Sequence, residues 1–401
     1  MKPEIRIASI GNVDSAKTTT ISVIANRELD DGRGKARKVI LKHPHEESTG
    51  RTSSITQHYI ETNNTIFGFI DLAGHEKYLK TTLTGLNGCY IDYAMVTIGA
   101  DRGIIGMTKE HLTLAIVLKI PIIIVITKLD IATEHKLSKI KNRLTNIFKH
   151  PLAGNKQLKF ISDKDIDNID TDIFFNSNNV PVFEISNISG KNIPVLRKFI
   201  HNLKKYKEIG NSENKNPLFK IDDIFKLDGI GLILSGIVQD GAITRNQKMN
   251  LGPFNGNYIE VMIKSIHDNF KRDIDTLYSG QCGCINIKLL NNKKNTLKRN
   301  QIKRGHILIG DPYSIRTFDA NVTILHHPTT IKLNYEPVIH CGNVRQTACI
   351  QKMDKELART GDNANVTFHF KFKPEFVEVN SQIVFREGNT KGIGTITKIH
   401  S

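Results

Sequence analysis

The sequence predicts a multidomain chain in which an α/β domain, a parallel sheet with flanking helices, is followed by two β-barrels. Between residues 5 and 203, short β-branched runs alternate with helix-like stretches, as in a parallel sheet covered on both faces. Beyond them, many short alternating segments are separated by Gly, Pro or Asn turns, which indicates an all-β part. The length of 401 residues also favours two or three domains, since a typical domain has about 100–200 residues.

The first domain is predicted at residues 1–208. Its strands are five apolar runs, which read in chain order IRIASI, IFGFID, YAMVTIG, IIIVITK and VPVFEIS. The stretches between them carry helical patterns, which supply the crossovers that parallel strands require. The polar stretch KKYKEIGNSENKNP, ending at Pro217, is typical of an interdomain linker.

Two small barrels are predicted from the alternating segments of the second half. The segments GLILSGIV, KMNLGPF, YIEVMIKSIH, CGCINIKL and HILIG belong to a barrel at residues 217–312. The segments ANVTILHH, ANVTFHFKF and SQIVF belong to a second barrel at residues 316–401. The run Gly310–Tyr313, with its Gly and Pro, is the expected break between them.

Composition excludes several classes of protein. The longest apolar run, Ile120–Ile126, is far shorter than the roughly 20 residues that span a bilayer, so no membrane segment is expected. The first ten residues carry charges and lack a signal-peptide cleavage pattern. The 5 cysteines form no C-x-x-C pair, which argues against a disulfide framework and a zinc module. We therefore expect a cytoplasmic protein, and a monomer.

The chain is strongly basic. Its 56 Lys and Arg against 40 Asp and Glu give a formal charge of +16. Such a field attracts polyanions, which means nucleic acid or, less often, an acidic membrane face. A compositional drift toward Lys, Asn and Ile is the competing explanation.

A glycine-led loop follows the first predicted strand and runs into a helix. It comprises Gly11, Asn12, Val13, Asp14, Ser15, Ala16, Lys17, Thr18 and Thr19. Backbone N–H groups and a helix N-terminus in this arrangement wrap a pyrophosphate. Lys17 would then bridge the β- and γ-phosphates, and Thr18 would ligate Mg²⁺. On this loop alone, an ordinary βα turn with a coincidental Lys-Thr pair remains open.

Ala16 departs from the phosphate-loop pattern, which expects glycine at this position. If the backbone there is left-handed, an alanine costs roughly 1–2 kcal/mol. If the backbone is ordinary, only the methyl group must be accommodated. The sequence leaves both options open.

A second motif, DLAGH, ends the second predicted strand. Asp71 offers a carboxylate that could reach Mg²⁺ through water, and Gly74 offers an N–H that could sense a γ-phosphate. Strands also commonly stop at Asp-Gly without any such role.

The last two motifs indicate the base. Asp130, in TKLD, can accept from both N1–H and the 2-amino group of guanine, while the Lys128 stem packs on the ring. Ser186 and Asn187, at the end of VPVFEIS, can support the base. Because the four motifs stand in the correct order, each at the carboxyl end of a predicted parallel strand, they predict one GTP site.

These motifs resemble those of translational GTPases. GNVDSAKTTT is similar to their GHVDHGKT-type first motif, and DLAGHEKY to their D-x-x-G-H motif. More narrowly, ELDDGRGKAR, HPHEESTGRTSS, GIIGMTKEH, LGPFNGNYIEVMIKSIH, LHHPTTI and VFREGNTKGIGTITK resemble the family of GTP-binding proteins 1 and 2 along the whole chain. The resemblance implies a P-loop GTPase domain followed by two β-barrels, as in elongation factor 1 alpha.

The resemblance also implies roles for individual residues. The implied Mg²⁺ ligands are Thr18, Thr52 and, through water, Asp71. The residues implied to contact GTP or GDP are Asn12, Val13, Asp14, Ser15, Ala16, Lys17, Thr18, Thr19, Gly74, Thr127, Lys128, Asp130, Ser186 and Asn187. The implied catalytic residues are His75, which orients the attacking water, together with Lys17 and Thr52. Thr127 stands where an Asn is usual and lacks its amide donor.

The basic second half is expected to contact RNA. A run of cations precedes Asp311, namely Lys288, Lys293, Lys294, Lys298, Arg299, Lys303 and Arg304. It predicts a hairpin with a cationic tip that could meet phosphates, although a merely solvated loop is the alternative. The pairs His326-His327 and His340-Cys341 are interpreted as structural rather than metal-binding.

Two functions follow from the resemblance. The first is a GTP hydrolase of translation that binds GTP with Mg²⁺, an aminoacyl-tRNA or other RNA, and the ribosome. The second is an RNA- or ribosome-binding adaptor whose nucleotide site is impaired by Ala16.

Overall fold

The structure is a computed structural model. It describes residues 2–38, 56–75, 82, 85–86, 90–206, 216–290, 297, 299–303, 305–387 and 390–400. The described chain divides into two compact units, one holding the α/β domain and the other both barrels. No described helix is long and apolar enough to cross a bilayer. The limits predicted for the three domains stay predictions.

The first unit is a sheet with helices. Its strands are β1 (Glu4–Gly11), β2 (Thr56–Glu61), β3 (Ile66–Asp71), β4 (Tyr93–Gly99), β5 (Ile122–Thr127), β6 (Gln157–Phe160) and β7 (Asn179–Glu184). Its helices are α1 (Lys17–Asn26), α2 (Lys35–Lys38), α3 (Gly106–Val117), α4 (Glu134–Phe148), α5 (Thr171–Asn176) and α6 (Ile193–His201). The strand order is β2-β3-β1-β4-β5-β7-β6.

The sheet confirms the predicted α/β domain and adds both of its edges. Strands β1, β3, β4, β5 and β7 are the five predicted apolar runs, and they pair in parallel. The edge strand β2 is antiparallel to β3, and the other edge strand β6 is parallel to β7. Both edge strands carry many polar residues, TQHYIE and QLKF, so they lack the continuous apolar run that marks a strand buried on both faces.

The core of this unit explains why the strands are so apolar. Apolar residues of α1 and α6 pack with β-strand residues in one buried cluster, which contains Ile7, Phe69, Met95 and Val125. Helix α3 packs against β1 and β4. The buried strands therefore hold their carboxyl ends, and the loops that follow them, in fixed positions.

The second unit contains the two predicted barrels. The first barrel uses β8 (Leu218–Leu227), β9 (Gly231–Asp240), β10 (Ala242–Thr244), β11 (Lys248–Phe254), β12 (Asn257–Asp268), β13 (Asp273–Ile274), β14 (Thr276–Tyr278), β15 (Cys282–Leu289) and β16 (Ile307–Ile309). Its ring runs β11-β16-β8-β9-β15-β12 and closes through β11–β12 pairing, while β13 extends β12 and β10 pairs with β14.

The second barrel is also closed. It uses β17 (Thr317–His326), β18 (Val338–Cys341), β19 (Val344–Met353), β20 (Asn363–Phe370), β21 (Gln382–Glu387) and β22 (Thr390–His400) in the order β17-β20-β19-β18-β21-β22. Each barrel has its own apolar core. A further apolar cluster joins the two barrels, with Leu218 and Ile307 of the first against Phe376 of the second. The fold thus agrees with a GTPase-type sheet followed by two barrels.

Candidate functional site

The sequence motifs come together at one edge of the sheet. Strands β1, β3, β4, β5 and β7 run in the same direction, so their carboxyl ends lie side by side. Residues 12–17, which we call the phosphate loop, connect β1 to α1 and include Lys17, the first residue of that helix. Ligands bind at this edge in open α/β sheets.

The phosphate loop contains two left-handed residues. Asp14 has φ 62° and Ala16 has φ 63° with ψ 30°. The option that the sequence left open is therefore decided in favour of a left-handed alanine, which carries a conformational cost of roughly 1–2 kcal/mol. Gly11 is a second constraint, because a Cβ on it would lie 2.3 Å from the Thr97 carbonyl oxygen.

Lys17 is buried at the centre of the loop. Its Nζ donates to the carbonyl oxygens of Asn12 at 2.8 Å and Gly11 at 3.3 Å. Burial lowers the pKa of the Lys17 amine, and the charges of Asp71 and Asp14 act in the opposite direction. A buried ammonium among carbonyl oxygens favours an anionic neighbour.

Gly74 closes the site from β3. A Cβ on Gly74 would lie 2.5 Å from Lys17 Nζ and 2.8 Å from the Gly11 carbonyl oxygen. Only a glycine brings its backbone this close to the phosphate loop. The next residue, His75, is exposed.

Two side-chain oxygens that could ligate a metal ion meet between α1 and β3. Thr18 Oγ1 donates to Asp71 Oδ2 at 2.5 Å. Hydroxyl and carboxylate oxygens are the ligands that Mg²⁺ prefers, so this pair fits a magnesium site. Thr52, the other implied ligand, lies outside the described residues.

The remaining loop residues are placed around this centre. Val13 and Thr19 are half-buried. Asp14 is more exposed and forms a salt bridge with Arg102 at 3.3 Å. Ser15 is 4% exposed, and its hydroxyl donates to the Asn12 carbonyl oxygen at 2.8 Å.

Asp130 and Ser186 meet where the base was predicted. Ser186 Oγ donates to Asp130 Oδ1 at 2.6 Å, and it accepts from the N–H of Ser189 at 3.1 Å. This bond orients the Asp130 carboxylate. Lys128 has φ 61° and pairs through Nζ with Asp101 at 2.9 Å.

Thr127 and Asn187 support neighbouring elements. Thr127 Oγ1 donates to the Ser15 carbonyl oxygen at 2.9 Å, so its hydroxyl ties the end of β5 to the phosphate loop. Asn187 is buried, and its amide donates to Thr20 Oγ1 in α1 at 3.0 Å. The Asn187 carbonyl oxygen accepts from the N–H of Asp30 at 2.9 Å.

Sequence reasoning missed two residues beneath the loop. Thr97, the one threonine in the run YAMVTIG, lies 2.9 Å from the Ser15 hydroxyl through its own Oγ1. His111 of α3 accepts the N–H of Gly11 on Nδ1 at 3.1 Å. A polar side chain within an otherwise apolar run was the available signal for Thr97, but nothing local marked His111.

His111 is held neutral. Its side chain is fully buried, and burial, with a smaller contribution from the Lys17 charge, lowers its pKa to about 4. Because Nδ1 accepts a hydrogen bond, the single proton of the neutral ring lies on Nε2.

The predicted basic hairpin is described only in part. Lys288 lies in β15, and Arg299 belongs to a short 3₁₀ turn. Lys303 is exposed. The other four cations, Lys293, Lys294, Lys298 and Arg304, lie outside the described residues.

Comparisons with known proteins agree with this geometry. The family model of the elongation factor Tu GTP binding domain matches residues 2–206. The chain is 36% identical to GTP-binding protein 1 of Xenopus laevis over 426 residues, which cover 99% of this chain and 63% of that protein. It is 31% identical to GTP-binding protein 2 of Homo sapiens over 430 residues, covering 99% of this chain and 70% of that protein. The chain thus spans less than two thirds of GTP-binding protein 1.

More distant relatives share the architecture. Elongation factor 1-alpha of Methanobrevibacter smithii is 26% identical over 370 residues, which cover 87% of this chain and 81% of that protein. The crystal structure of bacterial selenocysteine-specific elongation factor EF-Sec superposes with a TM-score of 0.74 at 19% identity, covering 99% of this chain and 58% of that one. The S. cerevisiae Ski7 GTPase-like domain bound to GTP superposes with a TM-score of 0.78 at 13% identity, covering 99% and 98%. At these identities, the two structural matches support the fold alone.

Proposed function

Since this chain belongs to the GTP-binding protein 1 and 2 family of translational GTPases, we propose that it binds GTP with Mg²⁺ at the carboxyl edge of its sheet and hydrolyses it to GDP and phosphate. The observation that carries the proposal is the meeting of three groups at that edge: Lys17 in the phosphate loop, the Thr18–Asp71 oxygen pair, and the Asp130 carboxylate oriented by Ser186.

The phosphate end is built from α1 and the loops around it. The backbone N–H groups of residues 12–19 and the positive end of α1 face the phosphates, and Lys17 adds a charge among them. Gly74 senses the γ-phosphate through its N–H because its backbone lies against the loop. The Mg²⁺ ligands are Thr18 and Thr52, with Asp71 acting through water. When bound, the ion offsets charge on the β- and γ-phosphate oxygens.

The base end selects guanine. Asp130 accepts from N1–H and the 2-amino group, which adenine does not present. The Lys128 stem covers the ring, and the Ser186 and Asn187 backbone supports its edge. Thr127 contributes indirectly, because its hydroxyl holds the Ser15 carbonyl oxygen rather than the base.

The chemical step requires positioned water. His75 is exposed at the γ-phosphate side and orients the attacking water, while Lys17 and Thr52 stabilise charge on the transferred group. The GTP-bound form is the one that binds partners.

The partners are an aminoacyl-tRNA or other RNA and the ribosome. The chain carries a charge of +16, and its relatives include elongation factor 1-alpha. We propose a cytoplasmic monomer whose RNA affinity is higher with GTP than with GDP and falls steeply with salt. Equal RNA affinity with GTP, GDP and no nucleotide would show that the switch part of the proposal is wrong.

Nucleotide titration tests the site directly. A fluorescent GDP analogue should bind, and GTP but not ATP should displace it. The Asp130→Asn variant should lose guanine affinity and gain affinity for xanthosine diphosphate, whose 2-oxo group needs a donor. The Asp163→Asn variant, which changes an exposed aspartate after β6, serves as the control. If ATP competes as well as GTP, guanine selection by Asp130 is excluded.

A nucleotide-impaired adaptor is the second candidate, and the left-handed Ala16 favours it. No GDP binding by the wild type, with rescue by Ala16→Gly, would support the adaptor. Ribosome pelleting with and without a non-hydrolysable GTP analogue separates the two functions further, because an adaptor should pellet equally in both conditions.

A further inference from the structure

Buried hydroxyl groups lie directly beneath the phosphate loop. The Ser15 and Thr97 hydroxyls are 2.9 Å apart, and Thr97 Oγ1 also lies 3.2 Å from the Ile10 carbonyl oxygen. Thr127 Oγ1 donates to the Ser15 carbonyl oxygen at 2.9 Å. Thr97 and Thr127 are 0% exposed, so these hydrogen bonds are shielded from water. Thr97 lies near the carboxyl end of β4 and Thr127 is the last residue of β5, and residues of both strands belong to the buried core.

These contacts fix the backbone rotation at Ala16. The φ and ψ angles of a residue set how its two flanking peptide planes are rotated against each other. The plane before Ala16 carries the Ser15 carbonyl oxygen, which Thr127 holds. The plane after it carries the Ala16 carbonyl oxygen, which accepts the N–H of Thr20 in the first turn of α1 at 2.9 Å. Both planes are therefore held by the chain's own groups.

The conformational cost of the left-handed alanine is therefore incurred when the chain folds and not when a nucleotide binds. A left-handed alanine is unfavourable wherever it occurs, but the bonds that hold it here come from Thr97 of β4, Thr127 of β5 and the first turn of α1, and they require no nucleotide. A nucleotide that meets a loop already in its binding shape does not have to supply that free energy.

We propose that Thr97 and Thr127 are positioning residues that hold Ala16 left-handed in the folded chain, so that the alanine lowers folding stability rather than nucleotide affinity. The affinity half of this inference rests on the proposed function, whereas the stability half does not. The inference also explains how a chain without the usual glycine can keep a working phosphate loop.

The stability test compares Ala16→Gly in two backgrounds, the wild type and a Thr97→Val/Thr127→Val chain that lacks both hydroxyls. In the wild type, glycine should raise Tm by about 3 °C. In the double-valine chain the loop relaxes, so the same substitution should raise Tm by less than about 1 °C. Equal gains in the two backgrounds would overturn the inference.

The affinity test uses the same four chains and a fluorescent GDP analogue. Ala16→Gly should improve affinity by about twofold at most in the wild type and by about fivefold in the double-valine chain, where binding must itself impose the left-handed backbone. A gain of about tenfold in the wild type would overturn the inference. If no chain binds GDP, the proposed function fails, and the Tm comparison still decides whether the threonines hold Ala16.

Two further variants separate positioning from a general loss of stability. Thr97→Ser with Thr127→Ser keeps both hydroxyls and should restore the wild-type response to Ala16→Gly. Thr171→Val removes another buried hydroxyl, which donates to the Asn202 carbonyl oxygen at 2.9 Å away from the loop. Thr171→Val should lower Tm, but it should not change how Tm or GDP affinity responds to Ala16→Gly. A changed response with Thr171→Val would contradict the positioning role.

Discussion

Left-handed residues are distributed differently in the two units of the molecule. Among described residues of the barrels, 5 non-glycine residues have positive φ, and 4 of them are Asn, the side chain that tolerates this region well: Asn246, Asn255, Asn334 and Asn380. In the loops that follow β1, β5 and β7 at the carboxyl edge of the sheet, the corresponding residues are Asp14, Ala16, Lys128 and Asn192. The barrel turns mostly use a residue suited to this backbone, whereas at the site Ala16 and Lys128 adopt a backbone that their side chains do not favour.

The difference extends to buried polar groups. In the second barrel, Gln346 accepts the N–H groups of Phe372 and Lys373 and donates to Glu375, so one side chain fixes one structural loop. At the site, Thr97 and Thr127 form hydrogen bonds with Ser15 of the loop that we propose binds the nucleotide. Strain that is held by the surrounding structure is thus a marker of function here.

The largest expected contrast concerns two lysines, the buried Lys17 and the half-buried Lys220. Lys17→Met should weaken GDP binding by on the order of 10²-fold, about 3 kcal/mol, because it removes the charge-assisted bond to the β-phosphate. Lys220 of the first barrel pairs with Glu378 of the second at 3.2 Å. Lys220→Met should leave GDP affinity within twofold and lower stability by about 1 kcal/mol. Calorimetric titration of GDP and thermal melts of both variants measure this difference. A loss of GDP affinity in Lys220→Met would contradict the prediction.

Two buried histidines should respond to acid. Burial lowers the pKa of His111 and of His306 to about 4, aided by Lys17 at the first and by Lys373 and Lys303 at the second. Since the folded pKa lies below the unfolded value of about 6.5, the neutral form stabilises the fold. Each contribution is complete above pH 6.5 and is lost as the pH falls toward 4, up to roughly 3 kcal/mol per histidine.

Replacing each histidine in turn tests whether that histidine causes part of the acid loss of stability. His111→Asn keeps an acceptor near the Nδ1 position and should reduce the acid loss of stability between pH 6.5 and 4, while GDP affinity becomes less dependent on pH. His306→Asn should reduce the acid loss of stability only. Thermal melts and GDP titrations across this range provide the measurement. An unchanged acid profile in both variants would refute the assignment.

A smaller effect is expected at Gln346. Gln346→Ala leaves two backbone N–H groups without their acceptor and removes one donor from Glu375, which keeps its ion pair with Lys373, so the unfolding free energy should fall by about 2 kcal/mol. GDP affinity should stay within twofold, because this loop belongs to the barrels. Gln346→Glu, which keeps the acceptor but faces Glu375, should destabilise at neutral pH and recover on acidification. An unchanged unfolding free energy in Gln346→Ala would show that this loop does not depend on the Gln346 hydrogen bonds.

The sequence predicted those parts of the molecule that depend on local patterns. The five central strands are continuous apolar runs, and the motifs that follow them carry Lys17, Asp71 and Asp130. The edge strands escaped prediction because their residues alternate less regularly and contact only one neighbour. His111 escaped because its partner, the N–H of Gly11, is 100 residues away in sequence. The backbone of Ala16 stayed open, since composition does not determine which φ the surrounding bonds impose.

The smallest expected effect tests the opening comparison itself. Asn255 and Gly256 form the two-residue turn between β11 and β12, with φ 51° and 94°. This is the arrangement for which Asn-Gly is preferred, so Asn255→Gly should change the unfolding free energy by less than about 0.5 kcal/mol. Ala16→Gly relieves a residue that resists the same region and should stabilise by about 1 kcal/mol. Denaturant unfolding of the two variants beside the wild type gives both numbers. Equal effects would mean that the strain at the site is no greater than that in an ordinary barrel turn.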